Sequence, residues 1–325
     1  MLTYLFQRFG QALVTIAAMA LLVFVGVYAI ADPIDMLAAP DATADERAAI
    51  AARLGLDRPL PVQFATFAWN ALHGDLGRSF VYNEPAVQVI LQRLPATLEL
   101  AFTALAIAVV VGLPLGLWAG LRPDSASGRA IMAGSILGFS LPNFWQGLML
   151  VLVFAVTLGW LPAGGRGETV RVLGIETGLL TLDGLRHLVL PALNLALFKL
   201  AVVIRLARAG TREAMLQDFV RFARAKGLAP SRIVGVHVLK TILLPVITVI
   251  GLELGSMIAF AVVTETVFAW PGIGKLLIDS INRLDRPVVV AYLMLTVCLF
   301  IVINLVVDLI YAALDPRVRL SESEP

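Results

Sequence analysis

Residues 221–246 read RFARAKGLAPSRIVGVHVLKTILLPV, and this stretch joins a basic segment directly to an apolar one. Gly227 suits the position just past a helix C-terminus, where a left-handed backbone costs glycine least. Pro230 suits the first turn of a following helix, because its missing N–H needs no partner there. The stretch predicts a short charged helix, a sharp turn, and a second helix that leads into an apolar span.

The chain around this stretch has the composition of a polytopic membrane protein. Its 325 residues are 59% hydrophobic and only 15% charged, whereas soluble domains carry about 25% charged residues. A helix needs about 20 mostly apolar residues to cross the hydrocarbon core. We predict an all-α polytopic fold with six spans, which fall at 11–31, 100–121, within 130–165, and at 187–207, 242–264 and 288–313.

The basic residues predict which loops face the cytoplasm, because cytoplasmic loops are enriched in lysine and arginine. The 205–240 segment is the most basic, so we place it inside together with both termini. We then expect three parts: residues 1–95 as an anchor helix and a large extracytoplasmic loop, residues 96–313 as a five-helix core with a cytoplasmic loop at 208–240, and residues 314–325 as a cytoplasmic tail.

The first span has one feature of a signal peptide, since Ala29-Ile30-Ala31 resembles a cleavage site. The apolar part of a signal peptide is about 7–15 residues long, and the apolar stretch at 11–31 is longer. We therefore expect an uncleaved anchor helix.

The helix that ends near Gly227 is predicted to be amphipathic. Leu216, Phe219, Val220 and Ala223 fall on one face at helical spacing, and the cations fall elsewhere. Such a helix can lie on anionic lipid, act only as a topology signal, or dock into a groove of a partner protein. Positive charge alone serves the first two roles, whereas the apolar stripe and the glycine break favour docking.

Seven segments follow one another along the chain: ARLGLDRPLPVQF, GDLGRSF, LPATLELA, SLPNFWQGLML, RFARAKGL, ETVFAWPGIGKLL and INLVVDLIYAALDPR. In this order they resemble the B-type subunit of the dipeptide/oligopeptide permease family of ABC transporters. The general EAA pattern of ABC permeases is only partly present, since aligning its glycine to Gly227 leaves Ala223, Gly227 and Leu239 as the matches.

The resemblance implies a multi-pass permease of the bacterial inner membrane, in a binding-protein-dependent importer of di- or oligopeptides. Close relatives carry nickel complexes, glutathione or other small solutes, so those cargoes are alternatives. The implied partners are membrane lipid, a second homologous permease, two cytoplasmic ATPase subunits that bind ATP and Mg, and an extracytoplasmic substrate-binding protein, with no nucleic acid. The implied coupling helix contacts the ATPase through Phe219, Arg221, Phe222, Arg224, Lys226 and Gly227.

The sequence does not predict ATP hydrolysis or any cofactor within this chain. A phosphate-binding loop needs G-x-x-x-x-G-K-[ST]. Around Gly274-Lys275, Ala269 replaces the first glycine and Leu276 replaces the hydroxyl residue. The three histidines and the single cysteine show no metal-ligand spacing. We expect no enzyme activity, no metal site, and ATP hydrolysis on separate subunits.

Two charged residues stand out inside predicted spans. We expect Lys199 to extend toward the cytoplasmic edge, with a buried ion pair as the alternative. Glu253 lies deeper, and an intramembrane carboxylate is a candidate functional residue. It can line the translocation pathway, pair with a cation of a neighbouring helix, or stay protonated.

The turn between the last two spans has two interpretations. Phe268, Trp270 and Pro271 can form an interfacial turn anchored by the tryptophan. The resemblance instead implies part of an outer gate and of the face that meets the binding protein. A secondary ion-coupled transporter remains a different-class alternative, but its expected inverted repeats are not visible, and a non-transporting scaffold would need no polar groups along a pathway.

Overall fold

The computed structural model describes residues 2–26, 42–54 and 57–314. The cleavage-like Ala29-Ile30-Ala31 and residues 315–325 of the predicted tail lie outside these ranges. The elements in chain order are α1 (Leu2–Phe24), α2 (Ala44–Leu54), α3 (Leu60–Leu72), α4 (Ala86–Leu121), α5 (Ala126–Ser140), α6 (Asn143–Leu150), β1 (Val170–Val172), β2 (Ile175–Thr177), α7 (Leu182–Met215), α8 (Asp218–Ala225), α9 (Pro230–Arg232), α10 (Leu239–Val267), α11 (Ile273–Asn282) and α12 (Arg286–Leu314).

Four helices are long and apolar enough to cross a membrane, and they contain four of the six predicted spans. The segments that meet this criterion are Ala86–Leu121, Leu182–Met215, Pro245–Val267 and Arg286–Leu309. α4 begins earlier than the predicted start at residue 100 and contains Pro95 and Pro114. Prolines are tolerated in such helices because neighbouring groups satisfy the freed backbone.

The predicted third span is broken rather than straight. Ala126–Ser140 and the segment Asn143–Thr157 meet at an angle of 107°, and Val151–Thr157 is π-helical. The break falls at Leu141-Pro142, because the residue before a proline is disfavoured in a helix. The predicted first span is represented by a shorter apolar helix, Arg8–Phe24, so the count of six spans remains a prediction.

Two parts of the chain contain structure that the sequence analysis did not predict. The predicted loop at 32–95 contains α2, α3 and the start of α4. Thr43 and Glu46 cap α2 reciprocally, and the hydrogen bond from the Thr43 backbone N–H lowers the pKa of the Glu46 carboxyl. The fold is mostly helical, as predicted, and β1 and β2 add one short antiparallel hairpin that was not predicted. Leu173 and Gly174 at its tip both have positive φ, as a two-residue hairpin turn requires.

The chain divides into two compact units, and each is described by itself. The N-terminal unit comprises Met1–Leu94 with Leu276–Ile301, and the core unit comprises Pro95–Lys275 with Val302–Pro325. The predicted division into residues 1–95, 96–313 and 314–325 stays a prediction. The return of residues 276–301 to the N-terminal unit was not predicted, because sequence order alone gives no sign of it.

The N-terminal unit is held by an apolar cluster and a buried aspartate. Ala20, Val23, Phe24, Phe67, Val290 and Met294 form the cluster. Asp285 is fully buried and accepts hydrogen bonds from the Ser79 hydroxyl at 2.5 Å and the Phe80 backbone N–H at 3.1 Å. The donors offset the cost of burying the carboxylate, and they fix the GDLGRSF segment.

The core unit depends on close contact between α4 and α7. A Cβ atom at Gly116 would lie 2.6 Å from Cβ of Ala207, and one at Gly120 would lie 2.6 Å from Cβ of Thr211. Both distances are shorter than real contacts allow, so only glycine permits this approach. Small residues at four-residue spacing allow such backbone approach in membrane helices, which positions the helices that carry the candidate site.

Candidate functional site

The loop at 208–240 has the helix–turn–helix form that the sequence predicts. α7 ends at Met215 and α8 follows at Asp218–Ala225. Gly227 has a φ of +73°, and its N–H donates to the Arg224 carbonyl at 2.9 Å. The Leu228 N–H donates to the Ala223 carbonyl at 3.2 Å. These bonds satisfy the last carbonyls of α8 and confirm the left-handed turn predicted for Gly227.

The predicted apolar stripe of α8 is only partly buried. Val220 and Ala223 are buried in a cluster with Ala214, Ile233 and Val238, and Phe219 packs against that cluster from the side. Leu216 is 74% exposed, so its place in the stripe is corrected: it lies between α7 and α8, outside the helix. The buried part of the stripe therefore holds α8 against other helices of the same chain.

The exposed side of α8 and the residue just after its end carry the remaining predicted contact residues. Arg221, Phe222, Arg224 and Lys226 are all exposed, and Phe222 keeps 62% of its surface accessible. Nζ of Lys226 lies 4.5 Å from the centre of the Phe222 ring. Arg221 and Asp218 form an exposed ion pair at 3.4 Å, and such pairs contribute little stability. This face presents an aromatic ring surrounded by cations.

Lys199 and Glu253 form an intramembrane ion pair between α7 and α10. The Lys199 Nζ also donates to the Ser256 hydroxyl at 3.0 Å, which lies 2.9 Å from Oε2 of Glu253. The expected extension of Lys199 to the cytoplasmic edge is therefore wrong, and the alternative of a buried ion pair is the one observed. Within a span, where water is scarce, the carboxylate and the ammonium stabilise each other. Removing either partner would leave an unpaired buried charge, which is strongly destabilising.

The turn after α10 is an interior structure. Phe268 and Trp270 are fully buried, and Pro271 is half-buried. The indole of Trp270 donates to the Ala96 carbonyl at 2.8 Å, and the Gly165 N–H donates to the Phe268 carbonyl at 2.8 Å. The side chains of Phe268 and Trp270 therefore have no exposed surface with which to contact a binding protein, which corrects that part of the prediction. Their role in an outer gate stays a prediction.

Glu265 is the anchor of this turn, and the sequence analysis missed it. Its carboxylate is fully buried, accepting from the Thr97 hydroxyl at 2.6 Å and the Lys275 N–H at 2.9 Å. The Thr97 hydroxyl in turn accepts from the Ile273 N–H at 2.9 Å. A Cβ on Gly272 would collide with the carboxylate. The sequence did contain a sign of this role, namely an acidic residue near the end of an apolar span and three residues before the FAWPGIG turn begins.

Gly274 has a packing role in the structure. A Cβ at Gly274 would lie 2.7 Å from Cα of Val262, so only glycine allows the backbone at this position to pack against α10. Its neighbour Lys275 uses its backbone N–H to bind Glu265. Among residues 2–26, 42–54 and 57–314, no group of three acidic, histidine or cysteine side chains could hold a metal ion.

A second polar network, also missed, supports the break between α5 and α6. Nε2 of Gln146 donates to the carbonyls of Gly138 and Leu141, each at 2.8 Å. The Asn194 amide donates to Oδ1 of Asn143 at 2.7 Å and to the Thr264 hydroxyl at 3.0 Å. These bonds give a physical reason for Asn143 and Gln146 in the segment SLPNFWQGL. A helix break inside a membrane protein needs such partners for its freed backbone groups.

Two family models match nearly the whole chain. One describes the inner membrane component of binding-protein-dependent transport systems and matches residues 112–320, and the model for the N-terminal part of such components matches residues 1–101. The chain belongs to this family. This permease is a multi-pass protein of the bacterial inner membrane, and the family is one of transport components rather than of enzymes.

Named relatives align with the permease over its full length. A di/tripeptide transport system permease protein of Pseudomonas aeruginosa is 40% identical over 333 residues, covering 98% of this chain and 99% of the relative. A dipeptide transport system permease protein of Escherichia coli K12 is 37% identical over 336 residues, with the same coverage. A putative peptide transport system permease protein of Brucella abortus is 38% identical over 320 residues.

A solved structure shares the fold. A chain of a methionine ABC transporter in an inward-facing conformation aligns with a TM-score of 0.56 and 18% identity. The alignment covers 71% of the permease and 99% of that chain. The likeness shows an ABC-permease fold for the aligned part of the chain.

Proposed function

We propose that this chain is one permease subunit of an ATP-driven importer for di- or oligopeptides. The observation that carries the proposal is the full-length identity of 37–40% to permeases named for di- and tripeptides. Permeases for nickel complexes or glutathione remain the alternative, because a binding protein can set the choice of cargo. The chain would supply half of the pathway, and a second, homologous permease would supply the other half.

The proposed topology has six spans with both termini in the cytoplasm. It is supported by the basic segment at 205–240, which favours the inside, and by the four long apolar helices and the broken pair. A reporter that works only outside the cytoplasm should be active when it is fused near residue 60 or 170. It should be silent near residue 125 or 225, and the reverse pattern would overturn the topology.

We propose that the exposed face of α8 docks into an ATPase subunit that binds ATP and Mg. Val220 and Ala223 are buried against the chain itself, which leaves Phe222 and the surrounding Arg221, Arg224 and Lys226 for a partner. The matching groove would offer an apolar pocket bordered by carboxylates, since charge complementarity guides and orients protein association. The buried face would then transmit movement of α8 to α7 and α10.

One experiment tests this assignment. The permease pair, two ATPase subunits and a binding protein are reconstituted, and peptide uptake and ATP hydrolysis are measured. We expect ATPase chains to co-purify with the wild type and to be lost with Phe222→Asp, whereas Leu228→Ala, outside the exposed face, retains them. ATP-independent uptake driven by an ion gradient would instead support a secondary transporter. Co-purification unaffected by Phe222→Asp would reject the proposed face.

A further inference from the structure

The two carboxylate oxygens of Glu253 have different surroundings. Oε2 receives the Lys199 ammonium and lies beside the Ser256 hydroxyl. Within the described part of the chain, Oε1 receives no hydrogen bond, and it is not among the buried polar atoms that lack a partner. The Glu253 side chain keeps 27% of its surface accessible, against 11% for Lys199. The accessible atom of the pair is therefore a hydrogen-bond acceptor.

Lys199 has little capacity left for a ligand. Its ammonium donates to Glu253 and Ser256 and lies 5.0 Å from the centre of the Phe198 ring. Two of the three N–H donors of the ammonium are used by Glu253 and Ser256, and the Phe198 ring makes a cation–π contact rather than a hydrogen bond. An anion arriving at the pair would meet one remaining donor on a side chain that is only 11% accessible, whereas a cation could bind the free oxygen of the more accessible Glu253 directly. The pair therefore favours a positively charged group.

The accessible side of Glu253 must face water or protein rather than lipid. A charged side chain within a span is costly unless it faces the bundle interior or a water-filled cavity. Phe260 is seven residues further along α10, so it lies on the same side of the helix two turns away. It is 72% exposed and offers an apolar surface in line with the carboxylate. A charged acceptor in line with an apolar surface suits a small amphipathic ligand.

We propose that Oε1 of Glu253 binds the N-terminal ammonium of a peptide in transit. This inference rests on the proposed peptide cargo and adds a recognition site for it within the pathway. The peptide ammonium supplies the hydrogen-bond donors that Oε1 lacks, and the charge-assisted bond is stronger than a neutral one. Lys199 acts as a positioning residue, because its ammonium binds Oε2 and thereby fixes the orientation of the carboxylate, which leaves Oε1 for a ligand.

The test uses saturation-transfer NMR on the assembled importer in nanodiscs, without the binding protein. The probes are Ala-Ala and N-acetyl-Ala-Ala, which differ in the ammonium group. With the wild type we expect affinity for Ala-Ala to exceed that for the acetylated peptide about tenfold, the scale of one charge-assisted hydrogen bond. Glu253→Gln should remove this preference and lower ATP-driven uptake of Ala-Ala by a similar factor.

Two further variants separate recognition from assembly. Lys199→Gln with Glu253→Gln removes both charges, so neither residue is left as an unpaired ion, and it should also lose the preference. Lys199→Glu with Glu253→Lys keeps an ion pair in reversed order, and it should assemble but bind Ala-Ala no better than the acetylated peptide. A wild-type preference for Ala-Ala retained by every assembled variant would overturn the inference. No uptake of peptide by the wild-type importer would reject the proposed cargo and this site with it, whereas uptake without any preference would reject the site alone.

Discussion

Two turns in this permease each contain a residue in the left-handed conformation, and they are specified in different ways. After α8, Gly227 has a φ of +73°, and an added Cβ would meet no atom within 4 Å. After α10, Ala269 has a φ of +49° although it is not glycine. The first turn depends on the backbone freedom of one residue. The second is enforced by its surroundings, namely Glu265, Phe268 and Trp270.

This difference matches the proposed roles of the two turns. The turn after α10 contains buried groups that bond to distant parts of the core unit, such as Ala96 and Thr97. The turn after α8 is exposed and is bonded mainly to its own helix. A contact that transmits movement to a partner requires an accessible surface of fixed angle, whereas a structural junction requires buried partners. We therefore expect the turn after α10 to be sensitive to the loss of its buried hydrogen bonds, and the turn after α8 to be sensitive to the replacement of its glycine.

The largest effect is expected at Glu265, because its loss leaves buried donors without an acceptor. Glu265→Ala removes the partner of the Thr97 hydroxyl and of the Lys275 N–H. Each unsatisfied buried donor costs about 1–3 kcal/mol, so the variant should accumulate poorly and unfold at a markedly lower temperature. Thermal unfolding of the detergent-purified chain measures this.

The neighbouring residue provides a matched control for that substitution. Thr266 is exposed, and its hydroxyl bonds only within its own helix, to the Val262 carbonyl at 2.7 Å. Thr266→Ala should therefore change the unfolding temperature very little. If Glu265→Ala behaved like Thr266→Ala, the buried carboxylate would not be what holds the turn after α10.

Gly227→Val should have a smaller effect on stability and a large one on coupling. A left-handed conformation costs a non-glycine residue about 1–2 kcal/mol, and here the strain falls on an exposed loop. We expect the permease to insert and to meet its partner permease, while substrate no longer stimulates ATP hydrolysis in reconstituted membranes. Gly227→Asn is the matched control, since asparagine tolerates this conformation better than valine. Full stimulation with Gly227→Val would show that this turn does not set the coupling angle.

The same contrast explains which features the sequence could predict. The position of Gly227 is encoded locally, by a glycine between a basic helix and Pro230, and the structure has the turn there. Apolar length similarly identified the four long helices. Glu265 and Asn194 could not be assigned in this way, because their partners lie 168 and 51 residues away in the chain. The sequence could not decide for the same reason whether Lys199 pairs with Glu253, because the two residues lie on separate helices.

The smallest effect is expected at Ala269, and its size decides what specifies the second turn. Ala269→Gly relieves the left-handed strain but adds conformational freedom to the unfolded chain, an effect of about 0.4–1 kcal/mol. The two contributions oppose each other, so the unfolding temperature should barely move. Ala269→Val is the control: its side chain is exposed, but β-branching makes positive φ unfavourable, so it should destabilise the chain. A large stabilisation by Ala269→Gly would mean that the backbone at Ala269 is substantially strained. The packing of Glu265, Phe268 and Trp270 would then have to offset that strain, rather than simply favour the turn.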